Sequence, residues 1–247
     1  MNITMVTVPA GEFLRGVNEE DAHEAEESPQ IVTWVEEYQI QKYPVTVEQW
    51  LEFLALSHYK WPKEEWIKVC KETGAMPELR EDVPITYVNW FDAKAFADWL
   101  AANTGVNYSL PSENQWEKAC RGCRGQPYPW GNVMPAFIDD LLSQADPSGN
   151  FLLQPVGRHK DKASPFGCED MCNNVSEWCD DWFLLEFSEP TNADNDVLRE
   201  CKACRGGNVL TSGWPRCTAR EAVDPKLRSH ILGFRLVARS VKQQQSR

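Results

Sequence analysis

An α+β domain with a high loop fraction is the architecture this sequence predicts. Three segments place apolar residues at helical spacing behind a capping side chain. Short alternating segments that read as strands surround them, with no internal repeat and no low-complexity linker. Eleven tryptophans in 247 residues point the same way. A buried indole N–H needs a partner, which favours irregular packing over long regular elements.

In chain order, residues 4–17 read as a strand pair around the turn PAGEF. Residues 18–29 hold Glu19, Glu20, Asp21, Glu24, Glu26 and Glu27, and such a run predicts a solvated loop. Residues 31–46 alternate as one or two strands. The first helix spans 45–57, with Val47, Trp50, Leu51, Phe53, Leu54 and Leu56 as its stripe and Thr46 as its N-cap. Residues 58–84, with Trp61 and Trp66, form an insertion that the pattern does not place. A second helix spans 88–105, capped by Asn89 and ended by Gly105, and a third spans 112–122, capped by Ser112. Residues 124–166 are rich in Pro, Gly and Asp and read as loop. Strands return near 174–183, 203–209 and 231–238. The domain is expected to cover 1–240, with 241–247 a disordered tail.

The net charge of −12 repels phosphate and anionic lipid, and no basic stripe offsets it. Nucleic acid and membrane are therefore not expected as partners. No run of 18 apolar residues exists. The first residues lack a basic stretch followed by an apolar one, so the expectation is a cytoplasmic chain. The phosphate-loop patterns GxxxxGK[ST] and GxGxxG are absent, and Ser212 lies in no GxSxG elbow.

Eight stretches carry a resemblance. They are VPAGEFLRG (8–16), YQIQKYPVTVEQWLEFL (38–54), PITYVNWFDAKAFADWL (84–100), LPSENQWEKACRG (110–122), YPWGN (128–132), FGCEDMCNNVSEW (166–178), RGGN (205–208) and LGFRLV (232–237). In this order the chain resembles the formylglycine-generating-enzyme, or sulfatase-modifying factor, family. The resemblance implies a C-type-lectin-like fold of the loop-rich kind. That family includes copper-dependent oxidases that convert a cysteine to formylglycine and iron-dependent sulfoxide synthases. It also includes non-catalytic binding domains, among them the variable proteins of diversity-generating retroelements. Fold alone does not choose among them.

The cysteines bear on that choice. The oxidases hold Cu(I) between two thiolates after the glycine pair, as soft sulfur ligands suit that ion. From Arg205 to Arg216 this chain has no cysteine, so no copper site is expected. The resemblance makes Cys217, in RCTAR, a structural partner of Cys120. Another reading joins Cys120, Cys123, Cys201 and Cys204, two CxxC pairs, as a four-thiolate zinc site. Cys168, Cys172 and Cys179 read as small buried hydrophobes. The sulfoxide synthases draw a histidine triad from a separate helical domain. The histidines here, His23, His58, His159 and His230, are far apart in the chain.

FGCEDMCNNVSEW matches the family's calcium loop, which implies a structural calcium ion. Asp170 and Glu177 would supply carboxylates, and Asn173 and Val175 carbonyls, the hard oxygen donors that ion prefers. The alternative is that the two acids cap a turn.

With copper excluded, residues 208–230 read as a presented surface between the anchors RGG, RCTAR and LGFRLV. Asn208, Val209, Leu210, Thr211, Ser212 and Trp214, then Glu221, Val223, Lys226, Arg228 and His230, are the candidate ligand-binding residues. Trp214 is the expected hot spot. The function expected is a non-catalytic module that binds a protein, resembling a retroelement-diversified variable protein. The alternatives are an enzyme of the family with other chemistry, or an accessory scaffold domain of a larger complex.

Overall fold

The computed structural model describes residues 1–22, 24–76, 78–133, 152–172, 174–184, 200–207 and 216–239. Within them are ten strands: β1 (Met5–Val8), β2 (Gly11–Arg15), β3 (Ile31–Val35), β4 (Tyr38–Gln41), β5 (Asn107–Ser109), β6 (Ser176–Trp182), β7 (Lys202–Arg205), β8 (Arg220–Val223), β9 (Leu232–Gly233) and β10 (Val237–Arg239). Four helices accompany them: α1 (Val47–Ser57), α2 (Lys63–Glu72), α3 (Trp90–Thr104) and α4 (Glu113–Arg121). Three sheets result, ordered β1-β4-β10-β5, β2-β3 and β8-β7-β6-β9. This is the mixed, loop-rich α+β architecture that the sequence predicts.

The three predicted helices form for the reasons expected. Thr46, Asn89 and Ser112 each accept from the backbone N–H three residues on, and Gln49, Asp92 and Gln115 reach back to the cap N–H. Gly105 ends α3 in the left-handed region, and His58 ends α1 there as well. Val47, Trp50 and Phe53 of α1 and Ala93, Phe96, Ala97 and Leu100 of α3 face one core with Phe234 and Leu236. Trp50 stacks on Phe96 at 5.8 Å, and Phe234 meets both edge-on. A second core joins α4 to β1 and β4 through Trp116, Ala119, Cys120, Val8, Tyr38 and Ile40.

The structure corrects two of these readings and completes two others. Residues 4–17 do hold two strands, but these do not pair with each other: β1 pairs with β4 and β2 with β3. The insertion 58–84 contains α2, whose Trp66 and Cys70, one turn apart, are buried. Trp66, Ile67 and Cys70 lie on one face and join the first core, a stripe only about one turn long. The segment 231–238 divides between sheets, β9 running parallel to β6 and β10 antiparallel to β4 and β5. Finally, the acidic segment is exposed at Glu19, Glu20, Asp21 and Glu24, but Glu26 is partly buried and Glu27 fully so. The tail 241–247 lies outside the described residues.

Candidate functional site

A buried ionic frame holds the three anchors. Helix α4 turns Glu113, Glu117 and Arg121 inward, all buried and spaced by four residues on one face. Arg205, at the end of β7, donates to Glu117 at 2.5 Å, to Glu113 at 3.3 Å and to the Cys217 carbonyl at 3.0 Å. Arg220, opening β8, forks onto both oxygens of Glu113 at 2.6 and 2.7 Å. Arg121 donates to Glu117 and to the Gly16 carbonyl, while the Gly16 N–H donates to Glu117. Burial disfavours every one of these charges. For Glu113 the Arg220 and Arg205 guanidiniums outweigh burial and hold its carboxyl below the usual range. For Arg205, Glu117 and Glu113 outweigh burial and raise it further.

The other anchors are tied the same way. Arg216 and the Thr218 hydroxyl both donate to Glu27, which is why that acid leaves the solvated loop. Arg235 lies between β9 and β10, where the chain passes from one sheet to the other. It forks onto Glu177 of β6 at 2.7 and 2.7 Å and donates to the carbonyls of Gln41, Lys42 and Glu169. Trp116 of α4 donates its indole N–H to the same Glu177 at 2.8 Å. Lys118, also buried, points the other way and donates to the carbonyls of Pro9 and Gly11 beneath the turn between β1 and β2. Burial lowers its amine.

Three cysteines meet beside this frame. The Sγ of Cys120 lies 2.7 Å from that of Cys217 and 3.4 Å from that of Cys172, and Cys172 and Cys217 are 3.9 Å apart. All three are fully buried. Burial raises the thiols of Cys120 and Cys217 well above the usual range. Burial acts on Cys172 too, but its contacts with the other two thiols and the Arg205 charge bring it down to about 6. The structure thus brings Cys120 and Cys217 together and adds a third thiol, Cys172, that reads in sequence as an inert hydrophobe. The four-thiolate combination does not assemble. Cys123 is exposed, Cys201 is partly exposed and Cys204 packs in the first core, and the one metal-ligand group among the described residues is Cys120, Cys172 and Cys217.

The expected calcium ligands divide. Asp170 is buried with φ of 59°, a left-handed conformation that acidic residues tolerate. Neither carboxylate oxygen makes a hydrogen bond of normal geometry, although the Gly157 amide is close enough to ease the charge. Burial raises the carboxyl to about 6. Such an orphaned carboxylate suits a hard cation. Glu177 does not, because Arg235 and Trp116 already take both of its oxygens. Val175 is a core residue with Trp178 and Phe234. Asn173 lies outside the described residues.

The expected binding residues also divide. Asn208, Val209, Leu210, Thr211, Ser212 and Trp214 lie outside the described residues. Glu221 and Val223 are partly buried on β8, the edge of its sheet, and burial raises the Glu221 carboxyl. Lys226 is exposed. His230 is partly buried, which lowers its imidazole. Arg228 is a correction. It forks onto Asp92, the buried residue of the α3 capping box, and donates to the Tyr87 carbonyl at 3.1 Å, so it braces the frame.

Sequence reasoning missed an aromatic face next to these residues. Lys202 Nζ sits 4.2 Å from the Trp90 ring and 3.9 Å from the Trp182 ring. Trp182 is 51% exposed and Phe91 47%. The loop 224–230 is fastened alongside: the Trp90 N–H donates to the Pro225 carbonyl and the Tyr87 N–H to the Ser229 carbonyl. It presents Lys226 and Leu227 outward. Strand alternation would put Trp178 and Trp182 on one face. A register irregularity between them lets Trp178 fill the core while Trp182 faces out.

Comparisons with known proteins agree with this frame. The model of the sulfatase-modifying factor enzyme 1-like domain matches residues 1–240. The chain is 28% identical to mouse (Mus musculus) "Inactive C-alpha-formylglycine-generating enzyme 2", over 94% of this chain and 84% of that one. It is 30% identical to "Hercynine oxygenase" of Mycolicibacterium smegmatis over 71% of this chain but only 45% of that protein. Among solved structures, Treponema denticola variable protein 1 has the same fold, with a TM-score of 0.69 at 20% identity over 97% of this chain and 96% of that one. With its motifs in order and its anchors locked by buried ion pairs, the chain belongs to the sulfatase-modifying factor enzyme 1-like domain family.

Proposed function

We propose that this chain is a non-catalytic, protein-binding member of its family. One observation carries the reading: Arg205 to Arg216, where the resemblance places the copper-holding cysteines, contains none, while both flanks are fixed by Glu113, Glu117 and Glu27. A rigid frame thus carries a segment free to vary in chemistry. Similarity to a relative named inactive and to a solved variable protein supports the same reading. For the iron-enzyme alternative, no histidine among the described residues joins two other metal-binding side chains.

The contact face is built from Trp182, Phe91, Lys226 and Leu227. Exposed indole supplies large contact area at little entropic cost, and Lys202, held between two rings, keeps Trp182 in place. Crosslinking the wild type to its partner in a lysate of the source cell, and repeating this with Trp182→Ala, tests it. The variant is expected to bind more weakly by about 2 kcal/mol and to lose less than about 1 kcal/mol of stability. Trp214→Ala is expected to act likewise. A partner that both variants retain at wild-type affinity would end this assignment.

A structural cation is proposed at Asp170, whose buried carboxylate oxygens lack hydrogen-bond partners. Chelation is expected to lower the melting temperature of calcium-loaded protein, and Asp170→Asn to abolish that response. Equal melting with and without chelator would contradict it.

A further inference from the structure

We propose that Cys120, Cys172 and Cys217 form a buried three-sulfur site for a thiophilic d10 cation, with Cu(I) the preferred occupant. The sulfurs come from separate parts of the chain: the last turn of α4, the loop before β6 and the anchor after Arg216. Their separations of 2.7, 3.4 and 3.9 Å define a triangle whose centre is about 2 Å from each sulfur. A Zn–S bond is about 2.3 Å, so a cation slightly out of that plane reaches all three. The short Cys120–Cys217 side opens as it enters.

Two other readings fit less well. As a plain structural pair, Cys120 and Cys217 would leave Cys172 without a role, yet it lies within 3.9 Å of both sulfurs. As an exchange relay, Cys172 would have to attack along the Cys120–Cys217 axis. The three distances instead place it nearly at a right angle to that axis at Cys120.

Charge favours a thiolate cluster here. Beside it, the guanidiniums of Arg121, Arg205 and Arg220 share the carboxylates of Glu113 and Glu117, three positive charges against two negative. Arg205 touches the cluster directly through the Cys217 carbonyl. Soft thiolates select Cu(I) or zinc over hard ions. Zinc takes four ligands, whereas Cu(I) is satisfied by three sulfurs, and the group holds three. Entry of Cu(I) changes no oxidation state, and each thiol that becomes a ligand releases one proton. With all three sulfurs fully buried the ion cannot meet a substrate, so its part is structural.

The test is titration of anaerobically reduced, full-length protein with Cu(I) against a chromophoric Cu(I) chelator, with zinc in parallel. One Cu(I) per chain is expected. Cys172→Ala, which keeps the Cys120–Cys217 pair, should weaken binding by more than the roughly 10- to 100-fold lost on removing an outer-shell partner. Cys70→Ala, at a buried thiol elsewhere, should change nothing. One zinc with the same Cys172 dependence would uphold the three-sulfur site and change only its occupant. If Cys172→Ala does not fold, alkylation of wild type decides: loading should protect Cys120, Cys172 and Cys217 together. Failure to retain either ion, retention unchanged in Cys172→Ala, or protection of Cys120 and Cys217 alone would overturn the proposal.

Discussion

Glu177→Ala is expected to destabilise the protein by about 3–5 kcal/mol, the cost of leaving a buried charge without its partner. Arg235 is fully buried and forks onto Glu177, and its remaining donors hold carbonyls of Gln41, Lys42 and Glu169. Losing the carboxylate strands that guanidinium between two sheets and orphans the Trp116 N–H as well. Glu177→Gln keeps an acceptor and is expected to cost less. Chemical denaturation of the three proteins measures this. The loss should be the same with calcium and with chelator, because the partner is Arg235. A loss confined to calcium-loaded protein would make Glu177 a metal ligand instead.

Gly206→Ala is expected to cost about 3 kcal/mol or more, combining backbone strain with overpacking. Gly206 has φ of +95°, and a Cβ there would stand 2.6 Å from the Met171 carbonyl oxygen and 3.0 Å from the Trp116 ring. The obstruction is backbone, so no rotamer change relieves it. Gly206 is thus a close-approach point where the end of β7 passes α4. A melting temperature within about 2 °C of wild type, corresponding to no more than about 1 kcal/mol, would mean that the turn relaxes freely.

Much of the frame was legible because its signals are local. Thr46–Gln49, Asn89–Asp92 and Ser112–Gln115 announce helix starts within four residues, and the structure forms all three boxes. The missed features depend on contacts distant in sequence. Nothing near Glu27 distinguishes it from its solvated neighbours; its partner, Arg216, is far along the chain. Trp182 looks like a core residue until a bulge turns it outward. Arg228 reads as an available surface cation, yet Asp92 holds it. β1 and β2 adjoin in sequence but pair elsewhere, because hydrophobic alternation specifies a face and not a neighbour. The family resemblance pairs Cys120 with Cys217. Cys172 joins them only in three dimensions.

On the proposed function, this chain keeps the family's frame without its oxidase chemistry. The most direct measurement incubates the protein with Cu(I), oxygen and a peptide containing Cys-x-Pro-x-Arg, beside an active formylglycine-generating enzyme, and follows the cysteine by mass spectrometry. The cysteine is expected to stay unchanged, at the level given by free copper alone, even when Cu(I) occupies the buried three-sulfur site. Conversion to formylglycine faster than free copper produces it, and lost on adding a Cu(I) chelator, would contradict the account.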